Sequence, residues 1–369
     1  MKPVRVLNLF TIMNRGGAET MVMNYYRKIN RERVQFDFLV HREEEGAYEK
    51  EIKELGGRIY RMPPMYPQNF SLYKKEIRKF FQEHPEYQII HSHMSELGYF
   101  ALKEAAYQGI PVRICHAHNA PYGFDMKMIM RHYFKRKMMP YLTHMFMCGK
   151  ESGDWLFGKE NEQKFIQLNN AIDTKQFLYN KEIESEVRKE LRLEDRFVVG
   201  HVGRFNKQKN HKFLLEIFGE IAKRKDDAVL LFIGNGELEE EIKDRTEKLG
   251  LGHKVKFLGL RTDIYRIMQC FQVFLFPSLF EGLPVTMVEA QAAGNLCFIS
   301  DTIPRQCCIT NSVRIVSLKS TPGEWAEKII EEERHYQKRN MYEKIVEEGF
   351  DIDKNAEWLE EFYIEAARN

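Results

Sequence analysis

The sequence predicts an α/β protein made of two doubly wound units, each a parallel sheet with helices on both faces. Three observations carry that prediction. Short apolar, β-rich runs alternate with amphipathic helical stretches in the order β-α-β-α, the pattern of a parallel sheet buried on both sides. The alternation starts again after about residue 175. A chain of 369 residues suits two cores better than one.

In the first half, strands are expected at 4–10, 34–40, 58–62, 89–93, 113–116 and 144–147. Helices are expected at 20–29, 48–55, 72–83, 99–108 and 126–139. In the second half, the strand-like runs are 198–202, 228–233, 254–258, 273–276 and 296–300. The helical ones are 210–225, 238–249, 263–269, 284–293 and 324–337. The predicted domains are 1–172 and 173–354, with 170–193 as the crossing linker. A last helix, within 355–369, is expected to pack back on the first domain.

Composition excludes several classes. At 43% hydrophobic and 12% aromatic, the chain can fill two cores. A formal charge of +2 gives no nucleic-acid signal. No apolar run reaches the roughly 20 residues that span a bilayer. The chain runs from Met1 directly into a strand without a leader-like apolar region, so a cytoplasmic protein is expected. Six cysteines, none in a CxxC pair, argue against a disulfide framework or zinc site.

The richest segment is 276–294. Its buried strand ends at Pro277, a Gly-containing turn carries Glu281, and the following helix carries Glu289. In open α/β sheets the crevice beyond the strand carboxyl ends binds ligands, and carboxylates there suit sugar or ribose hydroxyls. A surface Glu and a solvated helix Glu are the plain alternative. Strand 198–202 leads into Gly203-Arg204 and on to Lys207, Lys209 and Asn210. A glycine turn, three cations and a helix start make a natural diphosphate site, with Asn210 expected as the N-cap. Gly234-Asn235-Gly236 lacks the third glycine of a dinucleotide fingerprint, and reads as a loop beside a base or a plain turn. Gly16-Gly17 opens a helix and fits an anion, a sugar or an ordinary turn.

Two His-x-His pairs, His91/His93 and His116/His118, end strands of the first domain. No carboxylate accompanies them at a completing distance, so hydrogen bonding is preferred to metal ligation. Asp351-Ile-Asp353 precedes the last helix, and Asp353 is expected as its cap. No metal is expected.

Taken in order, Gly16-Gly17-Ala18-Glu19, His118-Asn119, 169–173, Gly203-Arg204 through Lys209, Gly234-Asn235-Gly236, 255–259 and Glu281 followed by Glu289 resemble the family 4 retaining glycosyltransferases of the GT-B fold. Gly17-Ala18-Glu19-Thr20, Ser92-His93-Met94 and Trp155-Leu156-Phe157-Gly158 are similar to segments of transferases of bacterial exopolysaccharide and capsule assembly. The resemblance implies two Rossmann-like domains facing across a cleft, with no cofactor and no metal. It implies a nucleotide-diphosphate sugar as donor, commonly a UDP-sugar, held by the second domain. The acceptor is implied to be a glycan or polyprenyl-linked hydroxyl on the first. Arg204 and Lys209 would hold the diphosphate, Glu281 the transferred sugar and Glu289 the ribose. His118 would contact the sugar or donate to the diphosphate side, with His116 competing for the same position. Gly16, Gly17, Gly203, Asn235, Gly236, Leu283 and Val285 would border the nucleotide. Asn170 and Asn210 stand where the family often has Gly, and Gln88 where Asp is frequent.

The stretch 126–141 mixes Met, Ile, Phe and Tyr with cations. It suits either the inner face of an anionic membrane or burial of its Met face in the first domain. Two rival functions stay open: a nucleotide-sugar epimerase, and a non-catalytic nucleotide-sugar-binding component of a synthesis complex.

Overall fold

The computed structural model describes residues 2–119 and 128–368. The chain divides into two compact units, one running to Ala171 and resuming at Ile352, the other spanning Ile172–Asp351.

The first unit holds β1 (Val4–Phe10), β2 (Val34–Val40), β3 (Ile59–Arg61), β4 (Ile89–Ser92), β5 (Val112–Ala117), β6 (His144–Met147) and β7 (Phe165–Gln167). All pair in parallel, in the order β3-β2-β1-β4-β5-β6-β7. Every residue of β2 is buried. Such a strand needs apolar side chains on both faces, and this is why it reads as an apolar run with few breaks. Of its two polar residues, Gln35 accepts from the Tyr26 hydroxyl at 3.1 Å, and Asp37 is held at the Arg5 guanidinium and by the Tyr87 hydroxyl at 2.6 Å. The final helix, Ile352–Arg368, lays Ile352, Ala356, Leu359 and Tyr363 into this unit's core. Asp353 is in its first turn, paired with Lys28 at 2.9 Å.

The second unit holds β8 (Phe197–Val202), β9 (Ala228–Ile233), β10 (Val255–Phe257), β11 (Val273–Phe276), β12 (Leu296–Ser300) and β13 (Val313–Val316). The order is β10-β9-β8-β11-β12-β13, again all parallel. The helix His211–Arg224 buries Leu214, Leu215, Ile217, Phe218 and Ile221 against the sheet. Burial of each such side chain contributes about 1.5–3 kcal/mol. Trp325, fully buried, donates its indole N–H to the Ser317 carbonyl at 3.0 Å. Its helix, Pro322–Glu333, opens with a reciprocal capping box between Thr321 and Glu324.

Several expectations change. Edge strands β7 and β13 escape the sequence reading. They are three and four residues long, and β13 alternates with a charged Arg314. Much of the expected linker belongs to the second unit. Asn180 caps helix Lys181–Leu191 by accepting from the amides of Glu182 and Ile183, and buried Arg188 donates to the carbonyls of Leu193, Arg196 and Cys270. The described helix at 126–139 is Met128–Met138; residues 126 and 127 lie outside the described residues. Among the described residues, all six cysteines are free, and no helix is long and apolar enough to cross a membrane.

Sheet order fixes where chemistry can sit. In the first unit the chain winds outward from β1 through β2, then reverses to place β4 on β1's other side. In the second it does the same with β8, β9 and β11. At such a reversal the loops beyond the two central strands diverge, and a crevice opens between them.

Candidate functional site

The loops beyond β8 and β11 carry the cations and carboxylates singled out above. The Gly203 amide donates to the Ile233 carbonyl at 3.0 Å and the Phe205 amide to the Asn235 carbonyl at 2.9 Å, while the Phe205 carbonyl accepts from Leu238 at 3.0 Å. Buried Phe205 stacks on His211, with ring centroids 4.4 Å apart. Arg204, between these two anchored residues, is exposed. Its guanidinium makes no hydrogen bond or ion pair among the described residues. A fixed backbone thus presents a free cation.

The glycines following β9 explain that anchoring. A Cβ on Gly234, whose φ is +135°, would lie 2.1 Å from the Gly203 carbonyl oxygen. One on Gly236 would lie 2.5 Å from that of Phe205. The Gly234-Asn235-Gly236 turn is therefore built to let two backbones touch. Asn235 itself is exposed.

The β8 and β11 loops are joined. Lys209 Nζ lies 2.7 Å from Glu281 Oε1 and 4.4 Å from the centre of the Phe276 ring. Gln208 Nε2 donates to Glu281 Oε2 and to the Phe280 carbonyl, both at 3.0 Å, and the Leu279 amide donates to the Gln208 carbonyl at 2.8 Å. Both oxygens of Glu281 are therefore satisfied. Sequence reasoning missed Gln208, which carries no charge to flag it. Asn210 precedes the helix with φ +56°, but its side chain donates to the Pro277 carbonyl at 3.1 Å instead of capping. Pro284 is the N-cap of helix Val285–Ala292 rather than a first-turn residue. Leu283 is buried and Val285 half-buried at that junction. Glu289 sits in the second turn, half-buried, with no partner for its carboxyl among the described residues. Burial pushes that carboxyl up to about 7.

The sequence decides whose site this is. Residues 15–176 match the family described as "Glycosyltransferase Family 4", and residues 182–349 match "Glycosyl transferases group 1". EpsF of Bacillus subtilis (strain 168), named as a glycosyltransferase, is 36% identical over 361 residues, covering 95% of this chain and 94% of that one. The chain belongs to glycosyltransferase family 4. This glycosyltransferase is also 24% identical over 378 residues to CapH of Staphylococcus aureus, named a capsular polysaccharide biosynthesis glycosyltransferase, covering 98% and 99% of the two chains. HepE of Anabaena, solved with UDP-glucose, has the same fold, with a TM-score of 0.72 at 17% identity over 99% and 97% of the chains. The fold is of the GT-B class, with two parallel-sheet Rossmann-like units.

In the first unit of this glycosyltransferase, Gly16 is the extended N-cap of helix Gly17–Lys28. A Cβ on Gly17 would meet nothing within 4 Å, so folding alone does not demand that glycine. The histidines gather instead of pointing apart. Ala117 of β5 pairs with Met147 of β6, and the next residues along, His118 and Cys148, come into contact. His118 Nε2 lies 2.9 Å from His93 Nδ1, and His118 Nδ1 lies 3.2 Å from Cys148 Sγ. Both ring nitrogens of His118 are engaged within the unit. His116, fully buried, places Nε2 3.3 Å from the same sulfur. His91 Nδ1 meets the Tyr363 hydroxyl at 2.6 Å. Burial, the first cause in each case, lowers the pKa of all four rings, that of His118 to about 3, so they are neutral imidazoles.

Proposed function

We propose that the second unit binds a nucleoside-diphosphate sugar, UDP-linked, and that the chain transfers the sugar with retention to a hydroxyl of a glycan or polyprenyl-linked acceptor in polysaccharide assembly. The observation that carries this reading is the Lys209–Glu281 pair, which ties together the two loops of the sheet reversal beside an unpartnered Arg204. On donor binding, Arg204 grips the diphosphate bidentately and Lys209 turns its ammonium toward it. Glu281, released, takes hydroxyls of the sugar, and Glu289 takes those of the ribose. Gly203, Asn235, Gly236, Leu283 and Val285 line the nucleotide, while Gly17 offers its first-turn amide to an anion; Gly16, whose own amide is given to the Asn14 carbonyl at 2.9 Å, sets the entry to that turn. The acceptor oxygen bonds to the anomeric carbon as the carbon–diphosphate bond breaks, and the departing diphosphate takes the acceptor's proton. Cations fixed where that charge develops lower the barrier. The chemistry asks for no metal, so turnover is expected to persist without added Mg²⁺ and in chelator. CapH and HepE, by name and bound ligand, support the polysaccharide context and the uridine donor. No relative named above supports the epimerase alternative.

Helix Met128–Met138 buries Phe134 and Met138 and exposes Ile129 and Tyr133 beside Arg136 and Lys137. This half-apolar, cationic face fits peripheral contact with an anionic membrane at the site of a lipid-linked acceptor. Co-sedimentation with anionic vesicles that salt does not weaken, or no sedimentation at all, ends that part of the reading.

The central test is a panel of nucleotide-sugars in a thermal-stability assay. A UDP-sugar at a hundredfold its Kd stabilises by about 2.7 kcal/mol, and turnover follows only when an acceptor is added. Release of an isomerised nucleotide-sugar without acceptor would favour the epimerase. Binding without turnover on any acceptor would favour the non-catalytic component, and no response to any nucleotide-sugar overturns all three.

A further inference from the structure

We propose that the first unit binds one soft divalent transition-metal ion, with Zn²⁺ as the best match, through His116 Nε2, His118 Nδ1 and Cys148 Sγ. The three atoms lie within 4.8 Å of one another, with the sulfur 3.3 and 3.2 Å from the two nitrogens. Zinc bonds of about 2.0–2.1 Å to nitrogen and about 2.3 Å to sulfur give tetrahedral ligand edges of roughly 3.3–3.6 Å. The two sulfur–nitrogen edges need open by only a few tenths of an ångström, and the stacked His116 and His118 rings, 4.3 Å apart and 25° from parallel, tilt so that both lone pairs converge. Two imidazoles and a thiolate select zinc or cobalt over magnesium or calcium.

Proton accounting points the same way. Asn8 turns its amide nitrogen toward the carbonyls of Val6 and Asp37, which directs its oxygen to His93 Nε2 at 3.3 Å. His93 therefore donates from Nε2 and accepts at Nδ1 from the Nε2–H of His118. This leaves a lone pair on His118 Nδ1, aimed at Cys148. His116 Nε2 faces the same sulfur, and among the described residues the buried His116 Nδ1, on the side of the Leu168 backbone, has no partner at hydrogen-bond geometry. If His116 carries its proton on Nδ1, two lone pairs compete for one thiol proton. If it carries the proton on Nε2, a buried lone pair is stranded at Nδ1. Either tautomer leaves a deficit. A metal ion removes it, because both lone pairs and the thiolate then have a common partner, and the thiol proton leaves to solvent. His93 fixes the tautomer of His118, as partners of metal-bound histidines do.

The rival set His91, His93 and His116 is weaker. His93 is committed to Asn8 and His118, His91 Nδ1 to Tyr363, and it has no sulfur. The sequence hid the favoured set because Cys148 is thirty residues from His118 and meets it only through the β5–β6 register.

The experiment takes the full chain, stripped with chelator and titrated with Co²⁺. One equivalent per chain, a thiolate-to-cobalt charge-transfer band and tetrahedral d–d bands are expected, with displacement by Zn²⁺. Cys148→Ser abolishes the charge-transfer band. Cys308→Ser, in the separate Cys307–Cys308 pair of the second unit, leaves it intact. X-ray absorption of the zinc-loaded wild type needs no variant to fold, and is expected to show one sulfur and at least two nitrogens. Failure to retain metal, a band that survives Cys148→Ser in folded protein, or an oxygen-only shell overturns the proposal. None of these readouts depends on nucleotide binding or turnover.

Discussion

At the reversal of the first sheet, the loops and strands beyond β1, β4 and β5 supply glycine amides and neutral imidazoles, with Cys148 from the neighbouring β6. At the matching reversal of the second, the loops beyond β8 and β11 supply Arg204, Lys209 and Glu281, and the helix that follows β11 supplies Glu289. The winding is the same, and the side chains at the strand ends are of opposite kinds. Topology fixes where a ligand can lie; what lies there depends on a handful of residues that the packing leaves free to vary. The second presents an exposed guanidinium beside an ion-paired ammonium and carboxylate. The first has donors and acceptors already turned on one another.

The contrast is tested most severely by Lys209→Ala. Turnover is expected to fall on the order of 10²–10³-fold. Stability is expected to drop by about 3 kcal/mol, because Glu281 is left half-buried without its cation. The pair Lys209→Met with Glu281→Leu restores the melting temperature and not the turnover; recovery of both would make the ion pair purely structural. Arg204→Ala separates the terms differently. Its guanidinium has no partner to lose among the described residues, so melting is unchanged while nucleoside-diphosphate affinity, read by calorimetry, weakens about 10–100-fold, as expected for a lost charge-assisted bond.

Gly234→Ala removes no functional group. It is expected to cost about 1–3 kcal/mol in chemical denaturation through backbone strain, and to weaken diphosphate binding by displacing the Gly203–Phe205 backbone. Unchanged affinity would show that Arg204 does not rely on that anchoring. The smallest effect concerns Glu289. The folded chain keeps this carboxyl protonated up to about pH 7, whereas its ordinary value is 4.5. The folded state binds the extra proton between those limits, so stability falls as pH rises through that window. Glu289→Gln is expected to remove that part of the slope. Ribose hydroxyls donating to the carboxylate favour its charged form, so nucleotide binding near neutral pH expels a proton from the wild type and not from Glu289→Gln.

Much of this was legible in the residues. Strand 228–233 is apolar along its length, and 34–40 nearly so, because both faces are covered; the limits of both match the sequence reading. The strand-to-turn and turn-to-helix segments that carry Arg204, Lys209, Glu281 and Glu289 were legible too. Their partnerships were not. The Lys209–Glu281 contact spans 72 positions, and no local pattern encodes it. The glycines of Gly234-Asn235-Gly236 announced a turn, but their demand for backbone contact with Gly203 and Phe205 appears only in three dimensions. Short edge strands fell below the length at which periodicity speaks. Asn210 looked like a helix cap because Asn commonly is one, until Pro277 offered its side chain a better bond.

The closing helix has a consequence for biosynthesis. Leu359 and Tyr363 complete the core of a sheet whose first strand begins at Val4. A nascent chain emerging from the ribosome therefore has all of β1–β7 in hand while that core still lacks its cover, and the later-made Ile172–Asp351 unit can close first. Removing the last 17-residue helix is thus expected to leave the earliest-synthesised half as the one that cannot mature.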